Sequence, residues 1–471
     1  MEDSFYRYRE VYERSPLFLR NGVGLVFRAM PQRVRHGKFY SVYRRRIADF
    51  VDAGDTWRAK GLQLRLLQQT VDFAIRHVPF YKSGAPIRDY DDLKQFPIVS
   101  KKDYTANMKA FTAEGVEASA LAGNTGGSCG IPMAFYFHKD ISRPKEKAHF
   151  HWFWGLHGYR PYRRLLAVRG KPLRKNKLVE VQSFDNRLAV SCYELNDSNS
   201  ELVAAAVRRF QPEFVYAYPS ALKVFCQALK DPERLGTATK FRAVLVTSEI
   251  LPEADRDFFA EFFDAPVVSC YGHSEYVLHG GYLPGSIEYH FFPFYGYLEL
   301  LDDNDNPVTQ VGRVGRIVGT SFDNYVMPFL RYDTGDLGVL SSDAKTGSGR
   351  NWPVLKRIEG RTQDIIYLSD GSPVTLTAFI FGQHLQQFKK IREMQFEQEV
   401  AGKLLMRIVR GPGFQAKDEL EMVAQLTQSV SNKVRISVGY VDGIPKTRRG
   451  KHVFLVQKMR DQDLCASVGA R

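Results

Sequence analysis

Between residues 165 and 272, short β-prone runs alternate with longer amphipathic stretches, and few architectures accommodate such a pattern. The runs RLLAVRG, PEFVYAY, FRAVLVTS and APVVSCYG are brief and apolar, as buried strands are, whereas 201–210, 220–230 and 252–263 carry apolar residues at spacings of three and four. Strands separated by helices pair in parallel, because the helix is the crossover that returns the chain to the same edge. This middle part therefore reads as parallel βαβ layers.

The flanks read differently. Residues 57–80 have helical spacing that stops near Pro79, and the N-terminal part is expected to be largely helical. Beyond residue 285, EYHFFPFYGYLELLD, GRVGRIVGTSF and FLRYDTGDLGVL are strand-like runs broken by Gly, Asn and Asp, which predicts a mainly antiparallel β section. The last hundred or so residues combine one helix, near 415–430, with the strand-like LLMRIVR and RISVGYV. A chain of 471 residues exceeds what a single core comfortably sustains. The expected fold is thus a large α/β N-terminal domain, residues 1–362, followed by a small α+β C-terminal domain, residues 363–471.

No apolar run reaches the ~20 residues of a membrane-spanning helix, and MEDSFYRYRE lacks a signal-peptide pattern, so a cytoplasmic location is expected. The five cysteines are scattered without CxxC spacing, which predicts free thiols and no structural metal. The net charge of +14 gathers in two clusters, Arg33 to Arg46 and Arg160 to Lys177. Neither has the aromatic interleaving or the motifs of a nucleic-acid binder. A solvated basic surface, a polyanionic acceptor or an anionic membrane face each fits the charge.

Five motifs carry chemistry. The loop Asn124-Thr-Gly-Gly-Ser-Cys-Gly-Ile-Pro132, read as following a helical stretch, can bring backbone amides and the hydroxyls of Thr125 and Ser128 close to phosphate oxygens. In Ser269-Cys-Tyr-Gly-His-Ser-Glu275, Tyr271 can stack on a base and Glu275 can hold Mg²⁺ against phosphates; alone, that glutamate reads as a surface carboxylate on a loop. In Arg331-Tyr-Asp-Thr-Gly-Asp336, the last aspartate can accept hydrogen bonds from two ribose hydroxyls, or serve a plain Asx turn. The fourth and fifth are Ile358-Glu-Gly-Arg361-Thr-Gln-Asp364 and Pro445-Lys-Thr-Arg-Arg-Gly-Lys451. Singly each fits a turn; their fixed order over more than three hundred residues is the specific signal.

That ordered series resembles the core motifs of the adenylate-forming superfamily. VPFYKS, FPIVSKKDY, YAYPSALKVF and TSE look most like phenylacetate-CoA ligase and its capsular-polysaccharide-biosynthesis relatives. The resemblance implies ATP-dependent activation of a carboxylic acid to acyl-AMP, with ATP and Mg²⁺ as cofactors. The acyl group then passes to the thiol of coenzyme A or to an amine, the latter on a polysaccharide precursor. It also implies residue roles. Thr125, Gly126, Gly127, Ser128 and Gly130 form the phosphate loop, and Ser248 and Glu249 lie near the adenine. Tyr271, with Gly272 beside it, flanks the base, and Glu275 binds magnesium. Asp336 holds the ribose, Arg361 lies near ribose and phosphate, and Lys451 bridges the substrate carboxylate and the α-phosphate. Gln363 stands at the hinge position, where aspartate is commoner, and Cys129 stands where threonine is common. For the acyl pocket, the aromatic stretches 149–159 and 289–297 supply Trp152, His149 and Phe294 as candidates, most other rings there being expected in the core.

Overall fold

The computed structural model describes residues 11–12, 15–51, 56–124, 133–168, 173, 177–192, 194–196, 198–248, 251, 253–342, 352–358, 365–375, 379, 387, 390–411, 413–444 and 455–459. The chain opens with helices α1 (Leu17–Ala29), α2 (Gln32–His36), α3 (Lys38–Val51) and α4 (Thr56–His77). Next come strand β1 (Val99–Ser100), helix α5 (Lys101–Ala106), and the hairpin β2 (Ala120–Asn124) and β3 (Ala134–His138). The hairpin corrects one expectation, since the glycine loop that begins at Thr125 follows a strand and not a helix.

The central layers are α6 (Ser142–Gly155), β4 (Leu165–Val168), β5 (Val179–Gln182), β6 (Arg187–Val190), α7 (Ser200–Phe210), β7 (Phe214–Ala217), α8 (Pro219–Leu229), β8 (Ala243–Thr247), α9 (Glu253–Phe263) and β9 (Val267–Gly272). Strands β6, β4, β7, β8 and β9 lie side by side and parallel. Every residue of β4 and β8 is buried, as expected where helices cover a parallel sheet.

The sheet continues, now antiparallel, through β10 (His279–Tyr282), β11 (Tyr289–Phe291), β12 (Gly296–Leu301), β13 (Val314–Ser321), β14 (Tyr332–Leu340) and β15 (Val354–Ile358). Together with β1, which pairs with β14, it has 13 strands. Lys145 of α6 ties the layers together: its buried ammonium donates to the carbonyls of Tyr295 (2.7 Å) and Phe322 (2.6 Å).

The C-terminal part holds the pair β16 (Ile365–Tyr367) and β17 (Pro373–Thr375). A second sheet of β18 (Ile391–Val400), β19 (Lys403–Arg410), β20 (Arg435–Tyr440) and β21 (Leu455–Gln457) packs with α10 (Ala416–Ser429). It has its own hydrophobic core, from Ile366 to Leu455, whereas the large core runs from Tyr40 to Ile358. The expected boundary, between residues 362 and 363, lies outside the described residues. The large mixed α/β region and the separate small α+β region agree with the fold class read from sequence. Among the described residues, no helix is long and apolar enough to cross a membrane.

Candidate active site

The carboxyl ends of β7, β8 and β9 lie next to one another, where open α/β sheets bind ligands. In β9 burial runs through Cys270 and ends at Tyr271, so Tyr271 and Gly272 are the first groups beyond the core. A short turn then leads to Glu275. At the end of β8, Ser248 is exposed with φ +70°, a left-handed conformation that a residue bearing a Cβ seldom adopts. Such strain concentrates at ligand sites.

Tyr271 and Asp336, 65 residues apart, meet here: the phenol donates to Asp336 Oδ2 at 2.8 Å. The Tyr271 hydroxyl oxygen lies 2.7 Å from His273 Nε2, and the amide of Leu278 donates to His273 Nδ1 at 3.4 Å. These contacts fix the tautomer. With Nδ1 accepting, the imidazole proton sits on Nε2 and is donated to Tyr271, whose own proton goes to Asp336. Burial lowers the His273 pKa against the pull of Glu275 and Asp336, and burial plus the Asp336 charge raises that of Tyr271, so both rings stay neutral.

Asp336 sits in β14 after Gly335, whose φ of +77° requires glycine. Its neighbour Asp333 is occupied elsewhere, pairing with Arg316 (2.9 Å) and accepting from the Gly335 amide (2.8 Å). Burial raises the Asp336 pKa, opposed by His273, Tyr271 and Lys101. Glu275 is not the surface carboxylate that its loop suggested: it is 6% exposed, and Tyr332 donates to its Oε1 at 2.9 Å. Arg331, which opens the same motif, is structural. It forks onto Glu299 (3.2 and 3.0 Å) and donates to the Phe96 carbonyl at 3.0 Å.

Among the described residues no group of three or more His, Cys, Asp or Glu could enclose a metal ion. Mg²⁺ is commonly held by one or two carboxylates plus substrate phosphates, and Glu275 suits that mode.

Sequence reading missed Lys101. The pairing of Val99 with Tyr332 and Ser100 with Asp333 brings the start of α5 to β14, and the Lys101 charge acts on both His273 and Asp336. Its signal was present in FPIVSKKDY: Ser100 and Asp103 form a capping box, the Ser100 amide donating to the Asp103 carboxylate at 2.8 Å.

Beside this cluster lies a cavity of about 260 Å³, lined by Arg143, Glu146, Lys147, Phe150, His151, Trp154, Tyr216 and Tyr276. The first six recur at spacings of three and four along one face of α6. The charged end adjoins the Tyr271 to Glu275 turn, since a Cβ placed on Gly272 would stand 4.0 Å from Glu146 Oε1. Arg143 lies over Phe137, whose ring meets Tyr276 edge-on at 5.5 Å. At the other end, Trp154 and Tyr216 are 5.1 Å apart. Burial raises the Glu146 pKa to about 7, against the hydrogen bond from Tyr295 and the charge of Lys145. The expected pocket residues are not among its walls: His149 and Phe294 are buried in the core, and Trp152 packs against Phe292 and Trp352.

Thr125, Gly126, Gly127, Ser128, Gly130, Glu249, Arg361, Gln363 and Lys451 lie outside the described residues. What is described on either side of the glycine loop is informative. Asn124 pairs with Ala134 across the hairpin, and β3 supplies Phe137, in contact with the residue that follows Glu275.

Comparison with known proteins gives the same kinship. Residues 366–458 match the CapK C-terminal domain. Protein CapK of Staphylococcus aureus is 22% identical over 96% of this chain and 99% of its own length. The phenylacetate-coenzyme A ligase of Escherichia coli strain K12 is 23% identical over 68% of this chain and 75% of its own. Among solved structures, 2-hydroxyisobutyryl-CoA ligase, in complex with 2-HIB-AMP and CoA, superposes with a TM-score of 0.56 at 18% identity, covering 88% of this chain and 93% of that one. The fold is that of the adenylate-forming ligases, and the resemblance to phenylacetate-CoA ligase and its capsular-polysaccharide-biosynthesis relatives read from the motifs is borne out.

Proposed function

We propose that this adenylate-forming ligase activates a carboxylic acid with ATP and transfers the acyl group to the thiol of coenzyme A. In the first step a carboxylate oxygen attacks the α-phosphorus and pyrophosphate leaves; in the second the thiol sulfur attacks the acyl carbon and AMP leaves. The observation that supports this best is the Tyr271, His273 and Asp336 cluster, with Glu275 beside it, next to a cavity of small-acid size.

In this reading Tyr271 and Gly272 flank the adenine, with Ser248 and Glu249 nearby, and Asp336 accepts from the ribose. The loop from Thr125 to Gly130 cradles the phosphates. Glu275 would hold Mg²⁺, which neutralises phosphate charge when bound. Lys451 and Arg361 supply the fixed positive charge that an attack by one anion on another requires. The cavity along α6 takes the acid, its carboxylate toward Tyr276 and its body toward Trp154 and Tyr216.

A second acceptor is favoured by one observation. CapK matches 96% of the chain whereas the E. coli phenylacetate ligase matches 68%, and the C-terminal domain is the CapK kind. The small domain serves the second half-reaction in this superfamily, so an amine, carried by a polysaccharide precursor, is the alternative acceptor.

The test is carboxylate-dependent ATP–pyrophosphate exchange across aryl, fatty and amino acids, followed by mass analysis for acyl-AMP. Exchange with acyl-CoA formed on adding coenzyme A supports the thiol reading. Acyl-AMP that persists with coenzyme A and is consumed by an amino sugar moves the assignment to the amine. ATP that neither binds nor exchanges would overturn both.

A further inference from the structure

We propose that α1, with the α2 and α3 segment beside it, is a docking surface for an anionic lipid bilayer. The inference is independent of the adenylation reading.

Helix α1 faces the wrong way for a core helix. Its inward edge consists of Arg20, Gly24, Phe27 and Arg28: Arg20 pairs with Glu180 at 3.0 Å, and Phe27 stacks on Phe184 at 3.9 Å. A Cβ on Gly24 would meet the Ser183 backbone at 2.7 Å, so close approach on this side requires glycine. Outward stand Phe18 at 71% exposure, Leu25 at 64% and Val26 at 58%, together with Leu19 and Val23. At 100° per residue these five fill an arc of about 160° in which the intervening positions are Gly22, Ala29 and Met30. No polar side chain interrupts that arc. A soluble helix normally turns such a stripe toward the core.

The segment that follows adds charge. Residues 15–51 carry eight Lys and Arg but one acid, Asp49. Some of the cations point inward: Arg46 lies 3.6 Å from Asp323, and Arg35 covers Tyr162 at 4.5 Å. Arg33, Lys38 and Arg45 are exposed, as are Val34 and Val42. The two parts are contiguous, since Phe27 of α1 and His36 of α2 both rest on Tyr162.

An exposed apolar stripe followed along the chain by exposed cations suits a helix lying in the headgroup plane of an anionic bilayer. With 13 residues α1 is too short to span one, as about 20 are needed. A second copy of the chain fits less well, because a two-fold contact would set this cationic segment against itself.

The test is co-sedimentation of the full-length protein with phosphatidylglycerol/phosphatidylcholine vesicles and with pure phosphatidylcholine vesicles. The protein should pellet with the former and stay in solution with the latter. The triple variant R33Q/K38Q/R45Q should lower the partition coefficient by roughly 10²-fold, about fivefold per basic residue. The double variant Leu25→Asp with Val26→Asp should abolish pelleting while keeping the wild-type melting temperature, since both side chains face away from the core. Equal pelleting with both vesicle types, no pelleting at all, or full pelleting of the double variant would each overturn the proposal. So would a concentration-dependent dimer that dissociates on Leu25→Asp, which would assign the surface to a second copy.

Discussion

Replacing Glu275 in two ways separates its chemical role from its structural one. Tyr332 is 1% exposed and gives its hydroxyl proton to Glu275 Oε1 at 2.9 Å. In Glu275→Gln the amide oxygen still accepts that proton, so the loss is limited to the charge-assisted part of one hydrogen bond, about 1 kcal/mol. In Glu275→Ala the phenol is orphaned without access to water, which costs ~1–3 kcal/mol before the cavity is counted. If Glu275 seats Mg²⁺ against the phosphates, both variants lose on the order of 10²-fold or more in pyrophosphate exchange, although only the alanine variant is clearly destabilised. Exchange measured across a Mg²⁺ titration, beside thermal unfolding, reads both quantities. The Gln variant should melt close to wild type and recover part of its rate at high Mg²⁺. A Gln variant with unchanged exchange at every Mg²⁺ concentration would refute the metal role, and loss in strict proportion to unfolding would leave Glu275 with a structural role alone.

Lys451→Ala should lose acyl-AMP formation by roughly 10² to 10³ while nucleotide binding measured by calorimetry survives; normal exchange would remove Lys451 from the chemistry. Gln363→Pro should leave pyrophosphate exchange intact and slow thioester formation in single-turnover assays, and equal loss of both would argue against a hinge there. Glu146 has its folded pKa raised from 4.5 to about 7, so its contribution to stability is full below 4.5 and is lost as pH rises through 7. Glu146→Gln removes that dependence, and its melting temperature should therefore gain on wild type between those values; parallel profiles would show that the carboxyl is not perturbed. Trp154→Ala should raise KM for the acid more than it lowers kcat, because in the proposed pose the ring packs on the acyl body and not on the reacting carboxylate.

The parallel layers were legible because period is a strong signal. The β-prone FRAVLVTS became β8, and 201–210 became α7 with its terminus one residue away. The strand before the glycine loop was not, since Ala120-Leu-Ala-Gly-Asn124 contains no β-branched residue. Its pairing is set by Phe135 and Phe137 on the partner strand, both buried in the large core. The burial of Glu275 was hidden for a related reason: local sequence shows a polar turn, and only the arrival of Tyr332 from 57 residues away makes it a buried acceptor. The cavity was hidden by composition. A helix face of Arg143, Glu146, Lys147, Phe150, His151 and Trp154 has the spacing of a core stripe without its chemistry. In α1 the reverse holds, for a stripe with core chemistry faces outward.

The electrostatics of the described site explain why it needs more than these residues. Burial, and with it the Glu275 charge, raises the pKa of Asp336, so carboxylates already crowd the place where nucleotide phosphates would add negative charge. The Tyr271 and His273 rings beside them are held neutral by burial and by a fixed tautomer, and Lys101 acts on the cluster from the start of α5, next to the strand paired with β14. A reaction that joins a carboxylate to a phosphate cannot run on that balance alone. In the proposed reaction the positive charge it needs is assigned to Mg²⁺, Lys451 and Arg361. The C-terminal region has a hydrophobic core of its own, and the proposal that Lys451 is present for the attack on phosphorus and withdrawn when the acceptor approaches the acyl carbon stands on the Lys451 and Gln363 variants above.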